Sequence, residues 1–461
     1  MNARTRTSLL VLCLLTTVGT LTFAPAGASA GPAAARTPGA ACRSAATAGR
    51  QIEVCRRATA SRTVGSRDRH RGHGQAPAPV PSPAPAPQPT QSPAPTPTPA
   101  PAPSPTPAPV PPAPTPTPEP APTPPPTQAP APTPTPASNS IYWGAWIGSQ
   151  LTGTEAPWDM GAVSAFEGHA QKHLSLVHFA APFADCSRNP CSYYGFPTTP
   201  MENIRKHGAI PFFSWSSQST PSSLNEPNFQ LSDLIGGAYD SYIRSFATAA
   251  QNWGHPFFLR FNWEMNGNWF SWSEGVNGNK TGEYVTAWRH VHDIFASVGA
   301  TNVTWVWCPN VDPNREFRDY SSMYPGDNYV DWTSLDGYNW GKAPYRPAGW
   351  KTFDQLFSST YHRIVDTIAP SKPMVIGEVG STEYGGSKAT WIQEMLAELP
   401  NAYPKVHGLV WFNREAEGEP MDWSIETSSS ATSAFANGIQ SPAYAGSQFA
   451  SLSSGTIQPA G

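Results

Sequence analysis

Past its first thirty residues, this 461-residue sequence has no apolar run long enough to cross a bilayer. A spanning helix needs about 20 such residues, so a membrane span is excluded there. There is no glycine-rich phosphate cradle. Cysteine is scarce, with six in all at positions 13, 42, 55, 186, 191 and 308. None of the six has histidine or cysteine neighbours at ligand spacing, which argues against a cysteine-based zinc site. His290 and His292 lie two apart on a predicted helix and therefore point to nearly opposite faces. No metal and no cofactor are expected.

What is present begins with MNARTRTSLLVLCLLTTVGTLTFAPAGASA. Arg4 and Arg6, an apolar stretch from Leu9 and the small residues Ala28-Ser29-Ala30 read as a signal peptide over residues 1–30. The expectation is a secreted, extracellular protein, with cell-surface association left open. Cys13 should leave with that peptide. In an oxidising compartment the disulfide candidates are two local couples, Cys42 with Cys55 and Cys186 with Cys191, leaving Cys308 as an odd buried thiol. Residues 31–74 carry nine arginines. They read first as a solvated, mostly disordered tail and second as a contact for an anionic cell-surface polymer. Residues 75–138 are almost wholly Pro, Ala, Thr and Ser, a linker that favours extended polyproline II over any packed core.

Basic charge runs short in the remainder. Residues 139–461 hold 18 Lys+Arg against 29 Asp+Glu, which speaks against nucleic acid as a partner. The same 323 residues hold all 17 tryptophans. A chain so rich in indole suits a polysaccharide partner, and it is expected to act as a monomer.

Eight apolar runs read as buried strands: SIYWGAWIG, LSLVHFAAPF, AIPFFSW, PFFLRFNW, VTWVWCPN, VDWTSLDGYNW, PMVIGEVG and VHGLVWFN. Helical periodicity lies between several of them. In GEYVTAWRHVHDIFASVGA, Tyr284, Trp288, Val291 and Phe295 recur at helical intervals. Strands without polar alternation, alternating with helices, imply a parallel sheet, and eight units in this length imply a closed α/β barrel of the (β/α)8 (TIM) type over residues 139–461.

Such barrels carry chemistry at the C-terminal ends of their strands. The fourth run ends in Arg260, Asn262, Trp263, Glu264 and Asn266, the sixth in Asp336, Tyr338, Asn339 and Trp340, and the seventh in Glu378. Two glutamates across one mouth match the demand of glycosidic cleavage for a proton donor and a facing anion. Glu264, between Trp263 and Met265 with Trp269 and Trp272 close by, is expected to hold its proton through desolvation. Glu378 is expected to lean on Arg260 and Tyr338. Sugar faces stack on indoles, so Trp146, Trp215, Trp263, Trp269, Trp272, Trp340 and Trp411, together with Asn266, are the substrate-binding candidates. Asp336 reads as a structural acceptor.

The segment R-F-N-W-E-M-N-G-N-W-F-S-W, with G-Y-N-W and V-I-G-E-V-G further on, resembles glycoside hydrolase family 26 over most of residues 140–430. That resemblance implies a retaining (β/α)8 endo-hydrolase with Glu264 as acid/base and Glu378 as nucleophile. It also implies that Arg260 and Tyr338 orient the nucleophile and that Trp411 stacks on the sugar. A β-1,4-mannan is the first substrate it implies, with mixed-linkage β-glucan, β-1,3-xylan or an exopolysaccharide as alternatives. One departure bears on the sugar: Trp263 stands where mannan-cleaving members usually carry histidine. A barrel that binds polysaccharide without cleaving it is the reading from another class.

Overall fold

The structure is a computed structural model, and it describes residues 140–460 except 315, 316, 345 and 416–421. The expectations for residues 1–138, including Cys42 and Cys55, lie outside the described residues.

Eight parallel strands form the barrel: β1 (Ile141–Ile147), β2 (Leu176–Asp185), β3 (Ile210–Thr220), β4 (Phe257–Phe261), β5 (Val303–Trp307), β6 (Trp332–Asn339), β7 (Met374–Ser381) and β8 (Val406–Asn413). Each pairs with the next, and β1 pairs with both β2 and β8, so the sheet closes on itself. All eight lie where the apolar runs predict. Helices cover most crossovers: α1 (Met160–Ala170), α2 (Thr198–His207), α3 (Asp240–Trp253), α4 (Glu283–Ser297), α5 (Phe353–Arg363), α6 (Lys388–Ala402) and α7 (Ser429–Ile439). Between β5 and β6 the described residues hold only a 3-10 turn, Tyr320–Met323. No described helix is long and apolar enough to cross a membrane.

Alternation along the strands sorts residues into two cores. Odd-parity residues such as Trp143, Phe213, Trp215 and Leu259 point outward into the helix layer. Helix α4 answers with Tyr284, Ala287, Trp288, Val291, Ile294 and Phe295, one apolar stripe at helical spacing. Tyr142, Phe212, Phe258, Val306 and Trp332 point inward and fill the barrel floor together with Ile457 from the C-terminal tail. The tail is tied in place by backbone bonds: Trp332 Nε1 donates to the Ile457 carbonyl (2.8 Å), and the Ile457 N–H donates to Thr304 Oγ1 (2.7 Å). With the floor packed and stoppered, the charged side chains of the interior gather at the other end. The Cys186–Cys191 disulfide forms as expected where β2 ends, and Cys308 is free and buried.

Candidate active site

Above the apolar floor, the next inward positions are polar. His178, Ser214, Arg260, Cys308, Ser334 and Asp336 are all fully buried. Arg260 is the hub. Its Nε donates to Ser214 Oγ (2.7 Å), Nη1 to Asp336 Oδ2 (2.6 Å), and Nη2 to Glu378 Oε1. Its Cζ lies 4.9 Å from the Trp263 ring centre. Burial works against the guanidinium charge, but Asp336 and Glu378 outweigh it and hold Arg260 cationic. His178 Nε2 faces both Ser214 Oγ (2.8 Å) and Arg260 Nη2 (3.2 Å). Burial and then the Arg260 charge push that imidazole well below its usual range, so it is neutral and accepts there.

Glu378 leaves β7 at an irregularity in its pairing with β6, between Ile376 and Glu378. Gly377 makes the approach feasible. A Cβ there would come within 2.6 Å of Ser334 Oγ and 2.8 Å of Asp336 Oδ1. The second Glu378 oxygen, Oε2, accepts from the Tyr338 hydroxyl. Both oxygens of Glu378 thus face donors, one of them charged.

Glu264 sits on a turn, not on the strand. Asn262 and Glu264 both take left-handed backbone conformations, φ 44° and 53°. Such conformations cost non-glycine residues of order 1–3 kcal/mol and persist where the surroundings fix them. Here Asn262 Oδ1 accepts from the Ser217 N–H (2.9 Å), and the Glu264 N–H donates to the Cys308 carbonyl (2.7 Å). The turn aims the Glu264 carboxyl back over the mouth. Its Oε2 accepts from Trp269 Nε1 (2.5 Å) and its Oε1 from Asn310 Nδ2 (2.6 Å). Burial first, and the Glu378 charge second, push Glu264 up to about 7 against the pull of those two bonds and of Arg260. Burial likewise raises Asp336 well above the usual carboxylate range. One guanidinium pairs with two of the three clustered buried carboxyls, so not all three can ionise together. One carboxylate oxygen from each of Glu264, Asp336 and Glu378 lies within 4.8 Å of the others. The carboxyls that sequence placed on the fourth and seventh strand ends do meet in space.

A cleft opens beside them, lined by Glu264, Trp269, Asn310, Tyr338, Trp340 and Arg346 among others. Trp269 and Trp340 therefore border open space as candidates for sugar contact. Trp146 points into the barrel, 4.5 Å from the His178 ring, and Trp263 packs its ring against the Arg260 guanidinium. Four expected contacts lie elsewhere. Trp215 is fully buried and stacked on Phe246 (4.2 Å), because its parity on β3 turns it toward the helices. Trp411 shares that fate on β8, packed against Trp391 and Phe435. Trp272 is fully buried, stacked on Phe270, and donates Nε1 to the Trp263 carbonyl (2.8 Å). Asn266 spends its amide on Asn310, accepting from its N–H and donating to its carbonyl (both 2.8 Å). It positions Asn310 and is not free for sugar.

Sequence reasoning passed over Trp423. It is buried, with its ring 4.8 Å from Tyr338 and 4.9 Å from Trp340, behind two residues that line the cleft. Trp411 Nε1 donates to the Trp423 carbonyl (3.0 Å), so one buried indole holds the backbone of the other. Trp423 comes from a loop after β8, where no periodicity gives its direction. Asn310 was visible at a strand end but lacked the charge that singles out a catalyst.

The sequence model of Glycosyl hydrolase family 26 matches residues 195–380. Endoglucanase H of Acetivibrio thermocellus is 34% identical over 301 residues, covering 64% of this chain and 30% of the relative. Mannan endo-1,4-beta-mannosidase A and B of Caldalkalibacillus mannanilyticus is 33% identical over 168 residues, covering 35% of this chain and 29% of the relative. This chain thus spans less than a third of the length of either. Among solved structures, the GH26 domain of a Prevotella bryantii endo-beta-mannanase/endo-beta-glucanase aligns with a TM-score of 0.47 at 16% identity, covering 68% of this chain and 93% of that one. Arg260, Glu264, Tyr338 and Glu378 all fall inside the matched segment, and over that segment the chain resembles glycosyl hydrolase family 26.

Proposed function

We propose that the chain is a retaining endo-β-glycosidase that cleaves the backbone of a β-linked polysaccharide. The observation that carries this reading is the short approach of the two glutamates, with oxygens within 4.8 Å. Retaining enzymes hold their carboxyls about 5–5.5 Å apart, whereas inverting ones leave about 6.5–9.5 Å for a water. Glu378 attacks the anomeric carbon while Glu264 gives its proton to the departing glycosidic oxygen. The resulting glycosyl-enzyme is opened by a water that Glu264, now ionised, deprotonates. Its tuning to about 7 suits a group that must serve as acid and then as base. The cleft continues past Glu264 along Trp340, Arg346 and Lys351, which suits a chain lying across the mouth.

For the sugar, sequence alone puts mannan first. The longer similarity to an endoglucanase, 301 residues against 168 for the mannosidase, supports a mixed-linkage β-glucan ahead of it. Trp263 in place of the usual histidine points the same way. We read residues 1–30 as an export signal, so the substrate would be met outside the cell. Incubation with lichenan, β-mannan and β-1,3-xylan, followed by reducing-end assay and anomeric NMR of the first product, tests the proposal. The expected result is release from lichenan above mannan with β-configured initial product. An α-configured product would rule out retention, and binding without release on every polymer would favour the non-catalytic barrel.

A further inference from the structure

A second convergence of ligand-type side chains lies away from the glutamates. Glu167 near the end of α1, His173 in the turn before β2 and His207 at the end of α2 meet at the N-terminal ends of β2 and β3, opposite the catalytic mouth. Glu167 Oε2 is 3.1 Å from His173 Nδ1, and Glu167 Oε1 is 2.9 Å from His207 Nε2. One ligand atom from each of the three lies within 4.8 Å of the others. The carboxylate is 7% exposed and fixed by the Leu174 N–H, which donates to Oε1 (3.0 Å). His173 is 75% exposed, so the cluster has an entry path and a side open to water.

We propose that Glu167, His173 and His207 bind one divalent transition-metal ion of the zinc class. Two imidazoles and one carboxylate are a three-ligand set that such ions accept, with water in the fourth place. Bonds of about 2.0–2.1 Å in a tetrahedron separate ligand atoms by about 3.3 Å, so small side-chain shifts suffice. Calcium and magnesium ask for oxygen ligands throughout and fit poorly. The ligands arrive from positions 167, 173 and 207, too irregularly spaced for a sequence signature.

The ion would tie together segments that also anchor the C-terminal tail. The Ser447 N–H donates to the Leu174 carbonyl (3.2 Å), and the Phe449 N–H to the Gly208 carbonyl (3.0 Å). The site therefore serves the stability of the barrel floor, apart from turnover. The test is calorimetric titration and thermal unfolding of the full chain with Zn²⁺ and, separately, Mg²⁺. One Zn²⁺ per chain and a rise of several degrees in Tm are expected, with no response to Mg²⁺. His173→Ala, at an exposed position that the fold does not need, should remove that ion and the Tm rise while leaving hydrolysis unchanged. Glu167→Gln should do the same. Identical Zn²⁺ responses in wild type and His173→Ala would overturn the proposal, as would no Zn²⁺ response in wild type, which would leave Glu167 as a hydrogen-bonding bridge between two histidines.

Discussion

The ends of β4 and β7 each deliver one glutamate to the same mouth, and they surround it differently. At the β4 end, Glu264 meets an indole N–H and an amide, both neutral donors, on a turn enclosed by Trp263, Trp269 and Trp272. At the β7 end, Glu378 meets a guanidinium and a phenol. Neutral donors in a dry site leave the Glu264 proton nearly balanced, whereas a guanidinium and a phenol give each Glu378 oxygen a donor of its own. On the proposed mechanism the identical side chain takes two roles, and the donors that each carboxyl meets set them apart.

The contrast is broken most sharply by deleting each acid in turn. On the proposed mechanism Glu378→Ala removes the attacking atom, and turnover on polysaccharide should fall by about 10⁴-fold or more. Glu264→Ala should cost about 10²–10⁴-fold on the same polymer, the range of general acid–base catalysis. Azide separates the two. It should restore Glu264→Ala on an aryl glycoside with a good leaving group, giving a β-glycosyl azide, and give the α-product with Glu378→Ala. Swapped product configurations would reverse the roles assigned to the two ends.

Next in size is the loss of the charge that distinguishes the β7 end. Arg260→Met strips two buried carboxyls of their shared cation, and breaking a buried pair in this way costs about 3–5 kcal/mol. Urea unfolding should show a midpoint shift of that order, together with loss of activity. An unchanged midpoint would mean that Asp336 and Glu378 find other partners. Tyr338→Phe is milder. It removes one hydrogen bond to Glu378 and should lower kcat by about 10²-fold, ~2.7 kcal/mol of barrier, with little change in unfolding.

How much of this contrast is legible in the sequence depends on what each residue is fixed by. The barrel, its eight strands and the convergence of Arg260, Glu264, Tyr338 and Glu378 follow from apolar runs and from the rule that strand ends share a face. Trp215 and Trp411 depart from the expected sugar contacts because richness in indole carries no information about which way a strand residue points. Trp215 follows Ser214, whose hydroxyl meets Arg260 inside the barrel, so Trp215 has to point out. Trp411 likewise follows Val410 of the inward core. That signal was available. The position of Trp423 was not, since it rests on a loop whose path is set by Lys388 Nζ, which donates to the Asp422 and Ser424 carbonyls across 34 and 36 residues. The left-handed turn at Asn262 and Glu264 was equally hidden, because neither residue type demands it.

The smallest effect tests the β4 end by itself. On the proposed mechanism Glu264 carries its proton to the leaving group, so kcat/KM should fall as pH rises through about 7. The Asn310 amide donates to the ionised form and holds that value down. Asn310→Ala should therefore move the alkaline limb to higher pH, by up to about one unit, or ~1.4 kcal/mol. Stability follows the same proton. The folded value lies above the ordinary 4.5, so the contribution is complete below 4.5 and is lost as pH rises through about 7. Glu378→Gln, which removes the neighbouring charge, should shift Glu264 the other way, read by carboxyl ¹³C NMR titration. Were both variants to titrate like wild type, burial alone would set the proton, and the two ends would differ in solvation and not in partners.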